Sequence, residues 1–134
     1  MLVEHARNLV GIIDASHAEY GGGGTPVITP LACALVDTAI EVDVVPGTLL
    51  AKIHGGSSVT ERTNCNYGLA PQLETIASTH GMVVSGRDDT GEVRAVERPD
   101  HPFFLATLYQ PQRTSSAGAP HPVLAALVDA VIAR

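Results

Sequence analysis

The sequence predicts a single α/β domain, and three features carry that prediction. Near the C-terminus Pro122 precedes Val123, Leu124, Leu127, Val128, Val131 and Ile132, an apolar stripe wide enough for a helix packed on a sheet. Val36, Thr38, Ile40, Val42 and Val44 lie opposite Asp37, Glu41 and Asp43, the period of a half-buried strand. Residues 82–98 read as two strands joined by Asp88-Asp89-Thr90-Gly91, a hairpin turn by composition. A length of 134 residues suits one domain, and no repeat or linker divides it.

In chain order, Leu2, Val3, Ala6, Leu9 and Val10 fall at helical spacing, with Gly11 as the stop. Residues 14–32 are rich in loop formers, including four consecutive glycines from Gly21 to Gly24. The strand over 34–45 turns at Pro46-Gly47 and pairs with a second strand, Thr48 to His54. Ser58-Val59-Thr60-Glu61 has capping-box spacing and predicts a short helical turn. Pro71 starts a helix with Leu73, Ile76 and Ala77 inward and Gly81 just past its end. Met82 to Arg87 and Glu92 to Arg98 are the hairpin strands. Phe103 to Tyr109, nearly all apolar, predicts a central strand, and Pro122 opens the last helix.

Composition excludes several classes. Apolar residues make up 45% and charged residues 16%, enough for a packed core. Eight basic against fourteen acidic residues give a net charge of −6, the wrong sign for a nucleic-acid binder. Aromatic content is 4% with no Trp, which argues against a base-stacking platform. No apolar run nears the roughly 20 residues of a membrane-spanning helix, and no secretory signal opens the chain. Two cysteines do not make a disulfide scaffold. A cytoplasmic location with reduced thiols is expected.

No local constellation is sufficient for catalysis. The glycine run lacks the Lys and Ser/Thr of a phosphate loop. His5, His17, His54, His80, His101 and His121 show no i, i+4 pair and there is no Cys-x-x-Cys, so no metal and no cofactor are expected and the histidines read as surface or capping residues. Cys33 reads as core filler. Cys65, in Thr63-Asn64-Cys65-Asn66-Tyr67-Gly68, is the candidate reactive thiol, although no His is near in sequence to draw off its proton. Among Glu19, Glu61, Glu92 and Glu97, the last two have opposite strand parity and form no dyad.

Several segments taken together resemble a known family. Glu4 to Gly11, Asp14-Ala15 and Ala18-Glu19-Tyr20 resemble the helix and loop that follow the nucleophile in the glutaminase domain of CTP synthase. Pro46-Gly47-Thr48-Leu49 with Ala51-Lys52-Ile53, Val84-Ser85-Gly86, and Val96 through Phe104 resemble its next segments. Tyr109-Gln110-Pro111-Gln112 occupies the place of the Phe-His-Pro-Glu signature, and His121-Pro122 leads into the final helix. The chain is identified as similar to the class I glutamine amidotransferases, CTP synthase branch. Cys65-Asn66-Tyr67-Gly68-Leu69 and Gln110-Pro111 further resemble short stand-alone bacterial proteins related to the C-terminal region of CTP synthase.

That resemblance implies the C-terminal half of a class I amidotransferase (flavodoxin-like) fold, with antiparallel hairpins and a C-terminal helix. By alignment the nucleophilic Cys would fall a few residues before Met1, so residues 1–134 are expected to form a partial domain. The family's catalytic His falls at Gln110 and its partner Glu at Gln112, while the Arg that grips the glutamine carboxylate falls at Asn66. Glu19 matches a carboxylate that contacts the glutamine amino group. The expected outcome is a domain inactive as a glutaminase. The alternatives are a fragment of a longer amidotransferase, and a non-catalytic module that binds glutamine or a related small amide near Glu19, Asn66 and Gln110. A half-domain exposes apolar edges, so a homo-oligomer or a separate N-terminal chain is the expected partner, and a place in pyrimidine metabolism is implied.

Overall fold

The structure is a computed structural model that describes residues 1–21 and 23–133; Gly22 of the glycine run and the side chain of Ile76, expected to point inward, lie outside the described residues. A short helix α1 (Leu2–His5) continues into a π-helical turn (Ala6–Val10) that ends at Gly11 with φ 85°. Then follow β1 (Ala15–His17), a 3₁₀ turn (Ala18–Tyr20), the long β2 (Thr25–Val44), α2 (Leu49–His54) and β3 (Ser58–Leu69). The chain continues through α3 (Pro71–Ser78), β4 (Val83–Arg87), β5 (Val93–Glu97), β6 (Leu105–Thr107), a 3₁₀ turn (Pro111–Arg113) and α4 (Pro122–Ile132).

All six described strands form one sheet in the order β1-β2-β4-β5-β6, with β3 also paired to β2. Only β1–β2 is parallel; the other pairings are antiparallel. Every residue of β5 is buried, and the strand feeds two apolar clusters. One joins Val93 and Val96 to Ala6, Val27, Ile28, Leu69, Leu73, Ala77 and Met82. The other joins Ala95 to Val42, Val44, Leu50, Tyr109 and Val123. Among the described residues no helix is long and apolar enough to cross a membrane.

The α/β class, the β4–β5 hairpin, the helix opened by Pro71 and the span of the final helix match the sequence expectation, but of the final helix's apolar stripe only Val123 is buried, and Leu127, Val128, Val131 and Ile132 are exposed. Asp88 closes the hairpin by accepting from the Thr90 and Glu92 N–H groups, each at 3.0 Å.

Other elements differ. Thr48 to His54 is not a strand. Thr48 caps α2 by accepting the Ala51 N–H at 3.1 Å, and Gly55 with φ 68° ends it. These cap residues outweigh the apolar run between them. The Ser58–Glu61 box is not a helical turn either. Ser58 pairs with Asp43 and Glu61 with Ile40, so cross-strand pairing overrides local capping chemistry. The segment 14–32 holds β1 and the start of β2, whose register breaks between Pro30 and Leu35 and again before Thr38. There Asp37 takes φ 44°, the alternation is lost, and Val36 is left exposed. Cys33 lies in this irregular stretch and is exposed, not core. Phe103–Tyr109 contributes only three strand residues, and they form the end strand of the described sheet, not its centre.

Candidate functional site

β3 carries Cys65 and Asn66, and the segments bearing Gln110 and Glu19 reach it at different points. The segment after β6 runs back across it: the Gln110 N–H donates to the Arg62 carbonyl at 3.0 Å, and the Gln110 side-chain amide donates to the Asn64 carbonyl at 3.4 Å. The Gln110 Oε1 is buried without a hydrogen-bond partner. Gln112 sits two residues on, exposed, in the 3₁₀ turn. Arg113 from that turn and Arg62 from β3 both bond the Asp37 carboxylate. The Arg62 hydrogen bond is the largest influence holding the Asp37 carboxyl below its ordinary pKa, and the charges of Arg62 and Arg113 add to it.

Further along β3, the Cys65 thiol is half-buried and donates to the Tyr67 carbonyl at 3.1 Å. A carbonyl acceptor orients a thiol without removing its proton. Strand parity puts Asn64 and Asn66 on one face, Cys65 and Tyr67 on the other. The Tyr67 ring lies 5.0 Å from His17, which lies 5.2 Å from Tyr20. Glu19 sits in that same turn, exposed, and its N–H donates to His17 Nδ1 at 3.2 Å. The structure therefore brings Gln110 to the Asn64 end of this strand and the Glu19 turn to the Tyr67 end, with Asn66 between. Among the described residues no hydrogen bond joins Glu19, Asn66 and Gln110 to one another.

A second cluster, absent from the sequence reading, lies deeper. Glu61 on β3, His54 at the end of α2 and His121 at the start of α4 bring their ligand atoms within 4.8 Å of one another. Local ligand spacing is absent, as the sequence shows, but the side chains of His54 and His121 are buried and not on the surface, and the group they form with Glu61 joins segments no local motif links. His121 also caps α4. Its Nδ1 accepts the Val123 N–H at 3.2 Å, so Nε2 carries the proton and donates to Glu61 Oε1 at 2.8 Å. His54 Nε2 lies 3.8 Å from the same oxygen. Burial pushes the His54 imidazole below its ordinary pKa, the Glu61 charge opposes that, and His121 adds to it. Tyr109 packs beside His121, its hydroxyl buried and unpartnered. Burial, then the Glu61 charge, raises that phenol far above its usual value.

Comparison with known proteins follows the same lines. No protein-family model matches the chain. CTP synthase of Pyrobaculum aerophilum is 32% identical over 142 residues, covering 98% of this chain and 27% of that protein. CTP synthase of Synechococcus is 33% identical over 144 residues, covering 99% of this chain and 26% of that protein. The glutaminase domain of Trypanosoma brucei CTPS, solved with bound acivicin, superposes with a TM-score of 0.87 at 27% identity, over 97% of this chain and 55% of that domain. The chain thus spans about a quarter of the length of these curated relatives. The similar fold and the match over nearly all of this chain lead to one conclusion: the chain shares the class I amidotransferase fold and is similar to the glutaminase domain of CTP synthase.

Proposed function

We propose that residues 1–134 form a CTP synthase-related amidotransferase domain that does not hydrolyse glutamine by itself. Gln110 carries this reading. It stands where the family's catalytic His falls, and its side chain donates an amide hydrogen bond to the Asn64 carbonyl. An amide has no basic nitrogen with which to take a thiol proton or return one to a leaving amine. Gln112 likewise supplies no charge to orient a base. Loss of such members costs several orders of magnitude in rate.

The alternative is that these residues are part of a longer amidotransferase that releases ammonia. The partners to expect are a second copy or a chain carrying the remainder of the domain, because the matched glutaminase domain extends well beyond the 55% covered here. Glutamine or a related amide is the ligand class, consistent with acivicin in the trypanosomal relative. The test is ammonia release from glutamine by the purified chain. The expected result is no release above buffer. Release that disappears on alkylating Cys65 would overturn the reading and make that thiol the nucleophile.

A further inference from the structure

The Glu61 carboxylate is 2% exposed, and only one of its oxygens has a hydrogen-bond partner. Its Oε2 is buried and unpartnered, as is the His54 Nε2 close by, and the His54 side chain is 7% exposed. A buried carboxylate held by one neutral imidazole is poorly compensated. A cation relieves it, and the cluster offers lone pairs to hold one. Glu61 has an unused acceptor, His54 Nε2 offers a lone pair in the tautomer protonated at Nδ1, and His121 Nε2 can become a third if its proton moves to Nδ1. That tautomer shift gives up the Val123 bond, a long N–H···N contact at 3.2 Å.

We propose that His54, Glu61 and His121 form a binding site for a borderline divalent transition-metal ion, of which zinc is the representative. The donor set, two imidazoles and one carboxylate, is the kind zinc takes. The Glu61 Oε1 lies 2.8 Å from His121 Nε2 and 3.8 Å from His54 Nε2, and all three ligand atoms fall within 4.8 Å, so side-chain shifts of about an ångström bring them to the roughly 3.3 Å separations around one tetrahedral ion. The three ligands come from α2, β3 and α4, so an ion there ties two helices to the sheet. Their burial keeps substrate away, which makes the role structural. This site is independent of the amidotransferase reading and survives its failure.

The experiment uses the full chain with Cys33→Ser and Cys65→Ser, which removes thiol ligands. Chelator-stripped protein is titrated with zinc against a chromophoric competitor, and melting is followed in parallel. The expected result is one equivalent bound at micromolar affinity or tighter, with a raised Tm. His54→Asn and Glu61→Gln should each weaken binding at least tenfold, while His101→Asn should not. Should a ligand variant fail to fold, cobalt replaces zinc in the unmutated site, where visible bands of a four-coordinate N/O centre are expected. No stoichiometric binding, binding unaffected by His54→Asn, or a six-coordinate aquo-type cobalt spectrum would each overturn the proposal.

Discussion

Glu97, on β5, caps the helix that begins at Leu49: its two carboxylate oxygens accept the N–H groups of Leu49 at 2.6 Å and of Leu50 at 3.1 Å. The carboxylate is 2% exposed and meets the positive end of a helix only six residues long. Such a helix cannot persist on its own propensity. Glu97→Ala leaves two helix-terminal N–H groups without acceptors and should cost about 2–4 kcal/mol. Glu97→Gln keeps one acceptor and should cost about 1 kcal/mol. Urea unfolding of the two variants checks both the size and the order.

The hairpin of β4 and β5 rests on a buried ion pair. Arg94 Nε donates to Asp88 Oδ2 at 2.7 Å, and the side chains are 5% and 7% exposed. Burial alone would raise the Asp88 carboxyl, but hydrogen bonds from Thr90 and Arg94, then the Arg94 charge, more than offset it and hold the pKa below its usual value. Arg94→Met strands a buried carboxylate and should cost about 3–5 kcal/mol. The loss should shrink in acid, once Asp88 is protonated. Chemical denaturation at neutral and acidic pH separates the two cases.

These two contacts also show what could be read from sequence. The Asp88 turn was legible because its residues lie within five positions of one another and each has its own turn chemistry. The α2 helix was misread although Thr48 and Gly55 bracket it, because its short apolar run also suits a strand, and the Glu97 carboxylate that decides for helix is 48 residues away from Leu49. The same distance effect hid the His54–Glu61–His121 group, whose members share no local motif. Ser58–Glu61 misled for the converse reason: its capping-box pattern is local, while its pairing with β2 is not. Cys33 looked apolar from its neighbours, but the register breaks in β2 turn it outward. The amidotransferase positions were legible only through resemblance, since Gln110 and Asn66 have no chemistry that singles them out.

Gly86 sits at the crossing of β4, β5 and α2. A Cβ there would lie 2.8 Å from Val42 Cγ1, and 3.3 Å from both Ala95 Cβ and Leu50 Cδ2. None of these is the free end of a long side chain, so relief requires the packed layers to separate. Gly86→Ala should destabilise by about 1–3 kcal/mol, read as a fall in Tm. An unchanged or higher Tm would mean the sheet and α2 are less tightly seated than the contacts indicate.

His5 gives the stability a dependence on pH. Its ring is 4% exposed with neither nitrogen hydrogen-bonded. Burial lowers its pKa from 6.5, the charges of Arg98 and His80 lower it further, and Asp100 opposes them. The unfolded chain therefore takes up this proton first as pH falls. Stability should be level above pH 6.5 with respect to this group and decline below it. His5→Asn should flatten that decline. Denaturation midpoints from mildly alkaline to mildly acid buffer, taken with chelator present, measure the slope.

The His17–Tyr67 contact holds the Glu19 turn against the Tyr67 face of β3, and Gln110 is tied to the Asn64 carbonyl three residues back on the same strand. A glutamine-like ligand has an amino group for the Glu19 carboxylate and an amide for Gln110 Oε1, which is buried without a partner and must turn outward to accept it. Binding to the folded chain alone stabilises it by mass action, about 2.7 kcal/mol at a hundredfold excess over Kd. Glutamine should therefore raise the Tm in a concentration-dependent way, and glutamate less so. Glu19→Ala should remove the shift without altering the Tm of the free protein, since the Glu19 carboxylate is exposed and makes no hydrogen bond. A shift that persists in Glu19→Ala would place the ligand elsewhere. No shift at tens of millimolar glutamine would mean these polar side chains no longer form a ligand site.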